Sequence, residues 1–459
     1  MLSNDFTWFK EKNRRILLEL VAVLNYLSSN LERNLDLREK IIFLKSANLE
    51  YLEKIFLSPE GRQWIYFIYT ELKGHSNGEE LLHAYAKWLG ISRSDLREHL
   101  IQKLDEFVLA LVINTKSTPL ERIGIKVNKN AILPLGEEMW RLRDNINLVL
   151  APNSIVTKEV NLLITQVRID SSSLVETFCF STLPSSKKFP LYIDLYTEAS
   201  RSSFAGREQL PRVDAEDEEM HQKQIQVIEK ALDFIGLVDY STSRYFREVP
   251  NYFVPLIGPV GTLPSSSNSS LDTMFWYSAT QQPLLMAEMI IHELSHQRLF
   301  RLQDTDPLLD PEVYGSGWDV CEIYSPWRDD PRPVNGVLHG FVVFTEASKF
   351  WMALIKHGGL QQGELDISKR RMTMLALQLK HAQTSLASCM YTALGKSVFD
   401  YYSQELDCII LPYIHQNNLG NLMPFFMEFH DQEQPSGVCI AEVVDGHKSQ
   451  WISRNGQGL

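Results

Sequence analysis

The chain has 459 residues, 44% of them hydrophobic and 22% charged, and a net charge of −12. These proportions are those of an ordinary folded globular protein and exclude a fibrous or largely disordered one, while the length exceeds what one core usually organises, so two or three domains are expected. The negative balance supplies no global field for gripping phosphates, and no nucleic-acid partner is expected.

The opening stretch MLSNDFTWFKEKNRR lacks an apolar core behind a basic start, and no apolar run of about 18 residues follows anywhere. A cytoplasmic protein with neither secretory signal nor membrane partner is therefore expected. The five cysteines, Cys179, Cys321, Cys389, Cys408 and Cys439, are scattered and never form a CxxC pair, so reduced, mostly buried thiols are expected.

In chain order, residues 11–115 place apolar side chains at three- and four-residue spacing, as in LREKIIFLKSANLEYLEKIF, which predicts a run of helices. Ser92 followed by Asp95 fits a helix start, Gly74 and Gly90 fit helix stops, and His75, His83 and His99 read as surface or edge residues. From 119 to 212 short β-rich runs such as IGIKV, NLVLAP and FPLYIDLY are broken by Pro, Ser, Asn and Asp, which predicts a sheet. A long polar helix follows at 214–238, then an aromatic stretch punctuated by Pro and Gly, then a Ser-rich loop entering a strand at 265–278. Helices return from 282 to about 420, and the tail holds one expected strand, VCIAEVV. The fold class expected is α+β, mostly α. A helical N-terminal domain should occupy 1–117, a β-rich segment with one long helix 118–280, and a helical metal-binding region 281–459.

The chemistry is concentrated in the helix PLLMAEMIIHELSHQRLFRLQ. His292 and His296 are four residues apart, which stacks two imidazoles on one face within reach of a single metal ion. Glu293 is turned about 100° away, close enough to act on metal-bound water if the ion is a peptidase zinc. The apolar run before the motif carries it into a core, where unpaired imidazoles are costly. A longer HExxHxxGxxH pattern is excluded, because Leu299 and Leu302 stand where Gly and His would be needed. The third ligand must come from elsewhere, and the segment VNGVLHGFVVFTEASKFW offers His339 and Glu346, separated by about 10 Å along a helix axis, so that one ion can take only one of them. Glu346 would make a site suited to zinc hydrolysis or an iron facial triad. His339, near the helix start and beside the arginine-rich loop, would make a three-histidine site and is the favoured candidate. In that loop, YSPWRDDPRP, Arg328 and Arg332 stand among three prolines; they suit bidentate capture of a carboxylate or, equally, pairing with Asp329 and Asp330 to hold the loop.

The run SLDTMFWYSATQQPLLMAEMIIHELSHQRL followed by YSPWRDDPRPVNGVLHGFVVFTEASKFW resembles the HExxH-motif peptide-modification proteins of ribosomal natural-product biosynthesis. The likeness covers residues 265–360 and leaves the first 200 unmatched. It implies an oxygenase dependent on Fe(II), α-ketoglutarate and O2 that hydroxylates a side-chain β-carbon of a precursor peptide. It further implies that His292, His296 and His339 hold the metal, that Arg328 or Arg332 meets the cosubstrate carboxylate, and that Glu293 steadies a ligand rather than serving as a base. A zinc peptidase using Glu346, and a non-catalytic peptide-binding module, are the competing readings.

Overall fold

The computed structural model describes residues 7–30, 35–73, 82–115, strands between 123 and 165, and residues 180–194, 217–249, 251–257, 265–279, 282–315, 322–419 and 440–455, apart from scattered single positions within them. Its fold is α+β and mostly α. The N-terminal helices are α1 (Thr7–Asn30), α2 (Leu35–Ser46), α3 (Leu49–Phe56), α4 (Pro59–Lys73), α5 (Leu96–Gln102) and α6 (Leu104–Thr115). Leu20, Val23, Leu24 and Leu27 recur at helical spacing on α1 and are buried with Phe56, Trp64, Phe67 and Val108 in one cluster. Strand β1 (Ile123–Val127) adds Ile125 and Val127 to that cluster, and its Lys126 N–H donates to Asp105 Oδ2 at 2.7 Å. The helical core thus takes residues from both sides of position 117. Gly90 ends its segment at φ +71°, while His83 is exposed and His99 half-buried; Gly74 and His75 lie outside the described residues.

Two small antiparallel sheets follow. One has strand order β1, β4 (Ile146–Ala151), β5 (Ser154–Thr157), β6 (Leu163–Thr165); the other joins β2 (Ile132–Leu135), β3 (Glu138–Leu142) and β7 (Phe180–Thr182). A third sheet is different in kind. Its order is β10 (Ser266–Ser267), β11 (Met274–Ser278), β9 (Asn251–Leu256), β8 (Leu191–Ile193), and β9 runs parallel to both neighbours. Helices α7 (Glu218–Val238) and α8 (Tyr240–Glu248) make the crossover from β8 to β9, as a parallel pair requires. Asp217 caps α7 and Asp239 caps α8, each carboxylate accepting a backbone N–H of the first turn.

The remaining described helices are α9 (Pro283–Gln303), α10 (Pro311–Tyr314), α11 (Val334–His357), α12 (Gln362–Leu386), α13 (Ala393–Glu405) with a π-helical turn at Leu406–Ile410, α14 (Leu411–Gln416) and α15 (Ile440–Asn455). A single hydrophobic cluster runs from Leu183 to Leu419. It crosses position 280 without a break, because α7 and the third sheet lie directly against α9. No helix among the described residues is long and apolar enough to cross a membrane.

Two expectations are corrected. The segment VCIAEVV is not a strand over its described part: α15 begins at Ile440, and Ile440 and Val444, one turn apart, pack on Met374 of α12. A short apolar run satisfies either period until a partner face selects one. The expected burial of the thiols also fails where it can be seen, since Cys389 is half-buried and Cys408 exposed on the π-helical turn; Cys179, Cys321 and Cys439 lie outside the described residues.

Candidate metal centre

Helices α9 and α11 form an antiparallel pair whose register can be read contact by contact. Gln303 meets Asn335, His296 meets His339, His292 meets Phe344, and Glu288 meets Trp351. Leu284, Met286, Ala287, Ile290 and Leu294 pack into the core alongside the polar Glu288, Glu293, Ser295 and Gln297, so α9 is buried nearly all round, with His292 and His296 left half-buried along one edge.

The imidazole rings of His292 and His296 lie 4.7 Å apart between centroids, with the two Nε2 atoms 3.1 Å apart. His339, only 2% exposed, brings its Nδ1 within 3.1 Å of His296 Nδ1. Its Nε2 is 2.7 Å from Gln303 Oε1, and Gln303 Nε2 donates to Asn335 Oδ1 at 2.8 Å. Burial, reinforced by the neighbouring His296, holds His339 well below the ordinary histidine range, so the ring is neutral with a lone pair to offer. Phe344 closes on His292 at 4.5 Å and Phe300 on His339 at 5.1 Å.

The donor set can be tested against a metal ion. Two nitrogens about 2.1 Å from one ion lie roughly 3.0–3.4 Å from each other, which matches the 3.1 Å between the Nε2 atoms of His292 and His296. The third imidazole faces the other nitrogen of His296, so the rings form a chain, and among the described residues no three His, Cys, Asp or Glu side chains already converge on a point. Three imidazoles, two of them one helical turn apart and the third on the facing helix, are a donor set of the kind a borderline ion such as iron or zinc takes.

The other sequence candidates are placed as follows. Glu293, 2% exposed, is buried on the core side of α9. Glu346 does not join the histidines: it pairs with Lys349 at 3.2 Å and lies beside Tyr402 and Arg298. Arg328 Nε donates to Asp330 Oδ1 at 3.1 Å, and Arg332 lies 3.9 Å from Asp330 Oδ2. Partial burial raises the Asp330 carboxyl, but the hydrogen bond and charge of Arg328, with Arg332 behind it, hold it below the ordinary carboxylate range. Both arginines therefore brace the loop, and Asp329 lies outside the described residues.

What the sequence reading missed is how this loop reaches the site. Strands β12 (Glu322–Ile323) and β13 (Arg332–Pro333) pair at its base, Gln378 of α12 donates to the Pro326 carbonyl at 3.0 Å, and Trp327 lies flat against α11. The indole stacks on Phe344 at 4.8 Å, and a Cβ at Gly340 would come 2.6 Å from Trp327 Cζ3. Gly340 is therefore the seat of Trp327, and the chain of contact runs Gly340, Trp327, Phe344, His292. Replacing Gly340 with Ala is expected to cost about 1–3 kcal/mol through overpacking. In a Trp327→Ala background the same change should be close to neutral, and equal losses of melting temperature in both backgrounds would refute the seat. Gln303 and Phe300, seven and four residues beyond His296, share its helical face, the one local signal that could have singled them out.

No protein-family model matches this chain, and no curated protein matches it.

Proposed function

We propose that this chain is an iron(II)- and α-ketoglutarate-dependent oxygenase that hydroxylates a side-chain β-carbon in a ribosomally made precursor peptide. The observation that carries the reading is the grouping of His292, His296 and His339, with Glu346 engaged by Lys349 instead. Iron held by these imidazoles would supply the oxidising chemistry, with the keto acid and O2 as co-reactants. The chain's own part is to hold that ion with His292, His296 and His339 and to keep His339 neutral by burial. Arg328 and Arg332 are the candidates for the cosubstrate carboxylate. Their side chains are 45% and 35% exposed, so exchanging Asp330 for a ligand carboxylate costs little. The Fe(II) oxygenase reading, the cytoplasmic location and the peptide substrate stand together as one proposal.

The competing zinc peptidase needs Glu293 to take a proton from metal-bound water, and loss of such a base lowers rate by about 10² to 10⁴. Glu293→Gln separates the two. With purified protein, iron, α-ketoglutarate and a short peptide encoded beside its gene, wild type should form succinate and hydroxylated peptide, and Glu293→Gln should keep partial activity. Peptide cleavage that is indifferent to iron and keto acid, and that disappears in Glu293→Gln, would overturn the proposal in favour of the hydrolase.

A further inference from the structure

We infer that Gln303 is the positioning residue for the third imidazole, and that His339 binds the metal through Nδ1. The inference rests on the proposed metal site and assigns within it an atom and a residue that the histidine spacing leaves open.

Two polar groups face the ring of His339, and a third holds one of them. Its Nε2 is 2.7 Å from Gln303 Oε1, its Nδ1 faces His296 at 3.1 Å, and Gln303 is itself held by Asn335 at 2.8 Å. The side chain is buried and belongs to the second turn of α11, while Gln303 closes α9, so the two helix ends are tied through this bond. Whichever way the Gln303 amide is turned, Nε2 of His339 is engaged by it, and Nδ1 is the nitrogen that faces His296. An imidazole that ligates needs its lone pair on the metal side and its proton on the other nitrogen. Ligation through Nδ1 therefore requires the proton on Nε2, and that proton requires an acceptor. Gln303 supplies one with Oε1 when its Nε2 donates to Asn335 Oδ1, which is the orientation observed. Outer partners of this kind select the tautomer of a metal-bound histidine and raise its basicity, and their loss typically weakens metal binding about 10- to 100-fold.

Two measurements test the assignment. The first uses wild-type protein labelled with ¹⁵N-histidine and loaded with Zn²⁺ as a diamagnetic probe; long-range ¹H–¹⁵N correlations report which nitrogen of each ring carries the proton. His339 is expected to be protonated at Nε2 and metallated at Nδ1, and protonation at Nδ1 would overturn the inference without any variant having to fold. The second compares metal affinity by competition with a chelator. Gln303→Leu should bind Zn²⁺ about 10- to 100-fold more weakly, whereas Gln303→Glu, which still accepts the Nε2 proton, should stay close to wild type. Unchanged affinity in Gln303→Leu, with His292→Ala still abolishing binding, would remove Gln303 from the site and leave the metal centre standing. Wild-type protein that binds no Zn²⁺ would instead bring down the metal centre, and this inference with it.

Discussion

Alanine at His292 or His296 is expected to abolish metal binding, and alanine at His339 to weaken it severely, while Glu346→Gln keeps the ion. Each histidine supplies about a third of the protein ligands of one ion, and an open three-imidazole site has no spare donor to replace it. Glu346 is a full two turns from His339, about 10 Å along α11. It is also committed to Lys349 at 3.2 Å, so its neutral amide should disturb that pair and leave the imidazoles alone. Elemental analysis of the four purified variants decides the matter. Full occupancy in His292→Ala would end the metal assignment, and loss of metal in Glu346→Gln but not in His339→Ala would transfer the third position to the carboxylate and strengthen the hydrolase reading.

Glu288→Ala should be among the most destabilising single changes in the larger core. Glu288 lies one turn before His292 and is 5% exposed. Its carboxylate accepts from Arg371 Nε at 2.7 Å and Nη2 at 2.6 Å, and from Trp351 Nε1 at 2.8 Å. This one group joins α9, α11 and α12 immediately beside the histidine pair. Breaking a buried pair by removing one partner costs about 3–5 kcal/mol; Arg371, with a side chain 24% exposed, can still reach some water, so about 2–4 kcal/mol is expected. For a core of this size that corresponds to a fall in melting temperature of roughly 5–15 °C. The paired replacement Glu288→Leu with Arg371→Met should recover most of the loss, since apolar substitutes for a buried ion pair are often neutral. A melting temperature in Glu288→Ala no lower than in a surface control would show that the pair does not hold the helices together.

Local periodicity carried much of the information about this protein. Helical spacing in residues 11–115 and the β-rich texture after 119 are consequences of which side chains can share a face, and both emerged as expected in the described residues. The pairing of His292 with His296 is equally local: with 3.6 residues per turn, positions four apart overlie one another wherever the helix lies. By contrast, Pro255 sits inside β9, the strand flanked on both sides in the third sheet. A proline there argues against a central strand on sequence grounds, so local pattern alone yields only an aromatic stretch punctuated by Pro and Gly. The choice between His339 and Glu346 could not be made locally either, because seven residues return to almost the same helical face. What bears on it is the antiparallel register of α11 on α9, which sets His339 against His296 and leaves Glu346 to Lys349. The same holds for Trp327 seated on Gly340, for Gln303 holding His339, and for the core that continues across position 280. Each joins residues whose proximity depends on how whole elements dock, and docking is decided by buried surfaces contributed from distant parts of the chain, which no window of neighbouring residues contains.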